Sequence, residues 1–112
     1  MKILRLTRHE AGPEQRAELN RIFGAEAEIV EISKTVANAE EVKQLVAEHQ
    51  ADVLEAVLPL NIVADLLNPR TGLQAPVIRA ITKRELREDG SAVFHFSHYE
   101  KLVKVEIVTE RL

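Results

Sequence analysis

The apolar positions along this chain change period several times. Ile3, Leu4 and Leu6 form a short cluster that gives way at once to Thr7, Arg8 and His9. That pattern predicts a buried strand running into a polar turn. Gly12 and Pro13 then open a helix, with Pro13 in the first turn, where its missing N–H does no harm. The helix is expected from Pro13 to about Phe23, with Leu19, Ile22 and Phe23 toward a sheet and Gly24 as its stop. Ile29, Val30 and Ile32 mark a second strand, about Glu28 to Ser33, followed by Lys34 and Thr35. Asn38 and Glu41 have the spacing of a capping box, ahead of a stripe of Val42, Leu45 and Val46 that His49 continues.

A third strand is expected from Asp52 to Leu58, ended by Pro59. Leu60 and Asn61 lead into a short helix with Ile62, Val63, Leu66 and Leu67 on its stripe. Asn68 and Pro69 stop it, and Arg70 to Gly72 turn the chain. A fourth strand begins near Pro76 and holds Val77, Ile78, Ala80 and Ile81. Glu88 to Ser91 then carry the Asp-Gly pair of a hairpin. Val93 to Tyr99 alternates, with Phe94 and Phe96 on one side. Lys101 to Thr109 alternates again, with Val103, Val105 and Ile107 together. The expected order is β-α-β-α-β-α-β-β-β. It describes one α/β domain over residues 1–112, Rossmann-like, with a mostly parallel sheet and a C-terminal antiparallel hairpin.

Composition adds boundaries. A hydrophobic fraction of 46% is enough for one core. The chain has no cysteine, which removes disulfides and thiolate nucleophiles and fits a reducing, cytoplasmic setting. No apolar run approaches the roughly 18 residues of a membrane span, and the first residues lack a signal peptide's apolar core, so no membrane association is expected. The net charge of −3 argues against duplex nucleic acid as a partner, though not against a small anion in a local basic pocket.

The candidate chemistry lies at strand ends, where open α/β sheets bind ligands. Arg8 and His9 follow the first strand, and helix amides near Glu14 are expected to face the same crevice. Histidine titrates near about pH 6.5 when unperturbed and serves as acid or base near neutrality. Gln15, in the first helical turn, has side-chain groups for a base or phosphate. Ser33, Lys34 and Thr35 offer a cation and two hydroxyls at the second strand's end. Asn61, after the third strand, suits either a helix cap or a base edge, and capping is the commoner use. Lys83 and Arg84 near the fourth strand's end either complete a basic rim or are solvated charges. No G-x-G-x-x-G or G-x-x-x-x-G-K-[ST] occurs, which argues against ordinary NAD binding and P-loop NTP hydrolysis. His95 and His98, three apart on a strand, are expected on opposite faces, and no metal site or other cofactor is expected. No carboxylate pair stands out as an acid/base couple.

A short strand followed by Arg8-His9, and then by Glu14-Gln15 at a helix start, resembles the small CRISPR-associated ring nucleases. These are single CARF-like domains of about this length. The family's loop often reads Ser-His and then Thr before the Gln; here Arg8 precedes His9, and Gly12-Pro13 stands at the place of the Thr. The resemblance implies antiviral defence and a homodimer that binds a cyclic oligoadenylate across its two-fold axis. It implies metal-independent cleavage, with Arg8 and Lys34 stabilising charge and His9 assisting proton transfer. Two other readings compete: a nucleotide-binding dimer without turnover, and a protein-interaction module acting through the hairpin or a sheet edge.

Overall fold

In a computed structural model, which describes residues 1–106 and 108–112, five strands form one sheet and three helices pack on it. The order along the chain is β1 (Lys2–Leu6), α1 (Pro13–Phe23), β2 (Glu28–Ile32), α2 (Ala39–Glu48), β3 (Val53–Ala56), α3 (Leu60–Leu66), β4 (Val77–Leu86) and β5 (Ala92–Leu102). Across the sheet the order is β2-β1-β3-β4-β5. The first three pairings are parallel and β4–β5 is antiparallel.

Side chains alternate across each strand, so the two faces collect different residues. Leu4, Leu6, Leu54, Ala56 and Val77 meet Val42, Leu45 and Val46 of α2 and Ile62 and Leu66 of α3. Ile3, Val53 and Ile78 meet Leu19 of α1, with Phe23, Ile29 and Tyr99 around them. Ile22 is less committed to the sheet than its spacing suggests and stays 43% exposed at the rim. The helix signals act as read, except that Glu41 does not close the capping box: its Oε2 accepts the Ala37 amide at 3.1 Å. Asn38 Oδ1 accepts the Glu41 amide at 3.0 Å, and Gly24 adopts φ 108° while its N–H reaches Asn20. Asn61 is not a cap, because Pro59 holds the N-cap position of α3. No helix among the described residues is long and apolar enough to cross a membrane.

The C-terminal third differs from expectation. β4 runs ten residues, to Leu86, and β5 continues without a break from Ala92 to Leu102. The pattern suggests separate strands at 93–99 and 101–109 because its apolar phase shifts by one residue. The structure absorbs that shift in a β-bulge: Ile81 pairs with His98, but Thr82 pairs with Phe96, leaving Ser97 as the extra residue. Residues 103–106, 108 and 109 lie outside strands, and Ile107 falls outside the described residues. The bulge also overturns the expected placing of the two histidines. His95 pairs with Lys83 and His98 with Ile81, residues two apart on β4, so both rings share one face. By the same register Phe94, Phe96 and Tyr99 share the other.

Candidate functional site

β2 lies on one side of β1 and β3 on the other, so the chain reverses direction across the sheet at β1. The loops leaving the carboxyl ends of β1, β2 and β3 splay apart there, as at a topological switch point. They enclose a cleft of about 480 Å³ lined by Leu6, Thr7, Arg8, His9, Lys34, Thr35, Val36, Val57, Leu58 and Pro59. Its floor is apolar. Its polar rim holds two cations, one imidazole and two hydroxyls, with no carboxylate in the lining. Arg8 and Lys34 form no salt bridge among the described residues.

Of the residues singled out from sequence, Arg8, His9, Lys34 and Thr35 are brought together here. The others are not. Ser33 and Asn61 are exposed and outside the lining. Arg84 lies inside β4, opposite Phe94 on the projecting β4–β5 hairpin, so neither it nor Lys83 rims the cleft. Gln15 is turned to the other face of the sheet, where its Oε1 accepts the Gly12 amide at 3.3 Å and an Arg5 Nη at 3.3 Å. Just before α1, the Ala11 N–H donates to Glu31 Oε2 at 3.3 Å, so one of the protein's own carboxylates lies beside this helix start.

That carboxylate belongs to a network that local sequence pattern does not reveal. In register across three strands, Arg5 of β1 lies between Glu31 of β2 and Glu55 of β3. Arg5 is 3% exposed and Glu55 5%. Arg5 donates through Nε to Glu55 Oε1 at 2.9 Å and through Nη1 to Glu31 Oε2 at 3.2 Å. The Tyr99 hydroxyl donates to Glu55 Oε1 at 2.9 Å, and Arg16 closes the outer side on Glu31. Burial works against the charge on Arg5, but hydrogen bonding and attraction from Glu55, with Tyr99 and Glu31 adding, hold its pKa above the ordinary value. Burial first, and then the Glu55 charge, push the Tyr99 phenol well up, so it remains a donor. The sequence signal was one charge set inside each of three apolar strands, in KILRL, EIVEI and VLEA.

The network reaches the cleft through the backbone. Arg5 Nη1 donates to the His9 carbonyl at 3.1 Å, while the His9 N–H donates to Thr7 Oγ1 at 3.1 Å. The loop is thus tied from below, and the His9 ring is left without a hydrogen bond among the described residues. Compared with protein-family models, with curated proteins and with solved structures, the chain matches none. The cleft's chemistry therefore rests on its own residues. On the projecting hairpin, His95 Nε2 lies 2.8 Å from Glu85, and His98 lies 2.8 Å from Ser97 Oγ and 3.2 Å from Glu100. Among the described residues no group of three or more His, Cys, Asp or Glu side chains is placed to hold a metal ion.

Proposed function

We propose that the cleft binds a nucleotide phosphodiester and that the protein is a metal-independent phosphodiesterase acting on a cyclic oligoadenylate, in a Rossmann-like, CARF-like domain. The observation that carries this reading is the gathering of Arg8, His9, Lys34 and Thr35 in one cleft without a carboxylate, in a chain of net charge −3. Unpaired cations at strand ends suit an anion, and the apolar floor suits the face of a base. The volume lies within the range of small-molecule sites and fits one phosphodiester step at a time. Cleavage then needs positioning more than added groups. The ribose 2′-hydroxyl attacks the adjacent phosphorus, the P–O5′ bond breaks, and a 2′,3′-cyclic phosphate and a 5′-hydroxyl result. Arg8 and Lys34 stabilise the charge on the phosphoryl oxygens, and Thr35 donates to one of them. His9 moves a proton from the 2′-oxygen or to the 5′-oxygen. Binding without turnover is favoured by one observation: His9 is the single imidazole in the lining, which holds no carboxylate to act beside it as a second acid or base.

The test is incubation with cyclic oligoadenylates of several ring sizes in the presence of EDTA, with products separated by chromatography and identified by mass. The reading expects linear products from one ring size. In His9→Ala the rate falls by about 10²- to 10⁴-fold while binding is retained. In Arg8→Ala and Lys34→Ala binding weakens by about tenfold or more each, from loss of a charge-assisted hydrogen bond. Intact ring co-eluting with the protein selects the binding module. A protein that neither binds nor cleaves any ring removes both.

A further inference from the structure

β5 closes one end of the sheet, and among the described residues its outer edge carries no partner strand. Among the described residues β3 pairs with β4 only at Val77 and Ile78, so beyond that point β4 and β5 run on as a two-stranded ribbon. Such ribbons are marginal in water, and an open edge of eleven residues is a template for another strand. Apolar side chains along the ribbon and its end remain in solvent: Phe94 is 66% exposed, Leu86 67% and Val103 76%.

A bulge on an edge ordinarily discourages pairing, because a regular strand cannot follow it. A second β5 carries the same bulge. In an antiparallel pair related by a two-fold axis between Ser97 and His98, the two irregularities fall together. Each residue before the bulge then meets one beyond it. Ala92 faces the partner's Val103, Val93 the partner's Leu102, Phe94 the partner's Lys101, His95 the partner's Glu100 and Phe96 the partner's Tyr99. Because the bulge shifts the phase by one residue, every one of the pairs within β5 joins side chains on the same face of the sheet. Their chemistry is complementary as well: apolar with apolar, a cation against an aromatic ring, an imidazole against a carboxylate, and aromatic with aromatic.

We propose that β5 pairs antiparallel with β5 of a second copy of this chain in this register, joining the two five-stranded sheets into one. The pairing is independent of what fills the cleft. It sets the two clefts toward opposite ends of the joined sheet, so each copy holds its own ligand. Two loops around one shared ring, as the family resemblance implies, require a different interface.

The chain has no cysteine, so introduced thiols report without background. His95→Cys and Glu100→Cys chains, co-expressed and oxidised, are expected to give a disulfide-linked dimer. Either variant alone is not, because like positions then lie too far apart across the axis for an S–S bond. Both residues are exposed, so the variants are expected to fold, which thermal melts check. Wild-type protein is expected to sediment at twice the 12.6 kDa chain mass. Sedimentation at the single-chain mass at every concentration overturns the proposal. So does cross-linking of His95→Cys with His98→Cys but not with Glu100→Cys, which marks another register.

Discussion

Arg5 illustrates how much can depend on one buried charge. Its guanidinium donates to Glu55, to Glu31 and to the His9 carbonyl. Replacing Arg5 by Met strands the Glu55 carboxylate, and the expected cost is about 3–5 kcal/mol in urea denaturation. The double variant Arg5→Met/Glu55→Leu removes both charges and should recover part of that loss. It should not recover ligand affinity, since the His9 loop stays untied. Tyr99 makes a second prediction, with a definite sign. Its phenol is held above its ordinary pKa when folded, so the folded state keeps a proton that the unfolded chain loses above about pH 10. The Tyr99 contribution is therefore present below that pH and is lost as pH rises. In Tyr99→Phe, thermal melts should show a shallower fall of stability on the alkaline side. Both residues were visible in the sequence, but their partnership was not. Tyr99 joins Phe96 and Glu55 on one face only because the bulge at Ser97 reverses the alternation, and single-strand spacing does not reveal such a reversal.

At the level of elements, the chain between α3 and β4 is fixed by a glycine for reasons of space. The Gly72 amide donates to the Asn68 carbonyl at 2.8 Å, and the Leu73 amide to the Leu66 carbonyl at 2.8 Å. A Cβ at Gly72 would stand 2.2 Å from the Leu66 oxygen and 2.5 Å from the Asn68 oxygen, both backbone atoms with little freedom to move. Gly72→Ala should lower stability by about 1–3 kcal/mol, read from the urea midpoint, and leave affinity at the cleft unchanged. Helix ends were the most legible elements, because Pro13, Gly24, Asn38 and Glu41 act through local backbone chemistry. Strand ends in the last third were the least. One strand with a bulge and two strands with a break give the same shift of apolar phase, and only pairing with β4 separates them.

At the scale of the molecule, the cleft could be anticipated because its location follows from element order alone: parallel strands present their carboxyl ends together. Strand order depends on pairing between distant segments, so which loops converge there, and that Gln15 and Arg84 fall elsewhere, was beyond local pattern. The row of Glu31, Arg5 and Glu55 bears on that order in another way. Moving β1 by one residue against its neighbours would turn Arg5 to the face that holds Leu4 and Leu6, among aliphatic side chains. Moving it by two would set it beside Ile29 and Val53, or past the two carboxylates. Each slip leaves an unmatched ion in a low-dielectric layer. The native alignment thus acts as an error check on assembly: misaligned sheets are penalised by desolvation while the chain is still sorting its strands, before any ligand can reward the correct one.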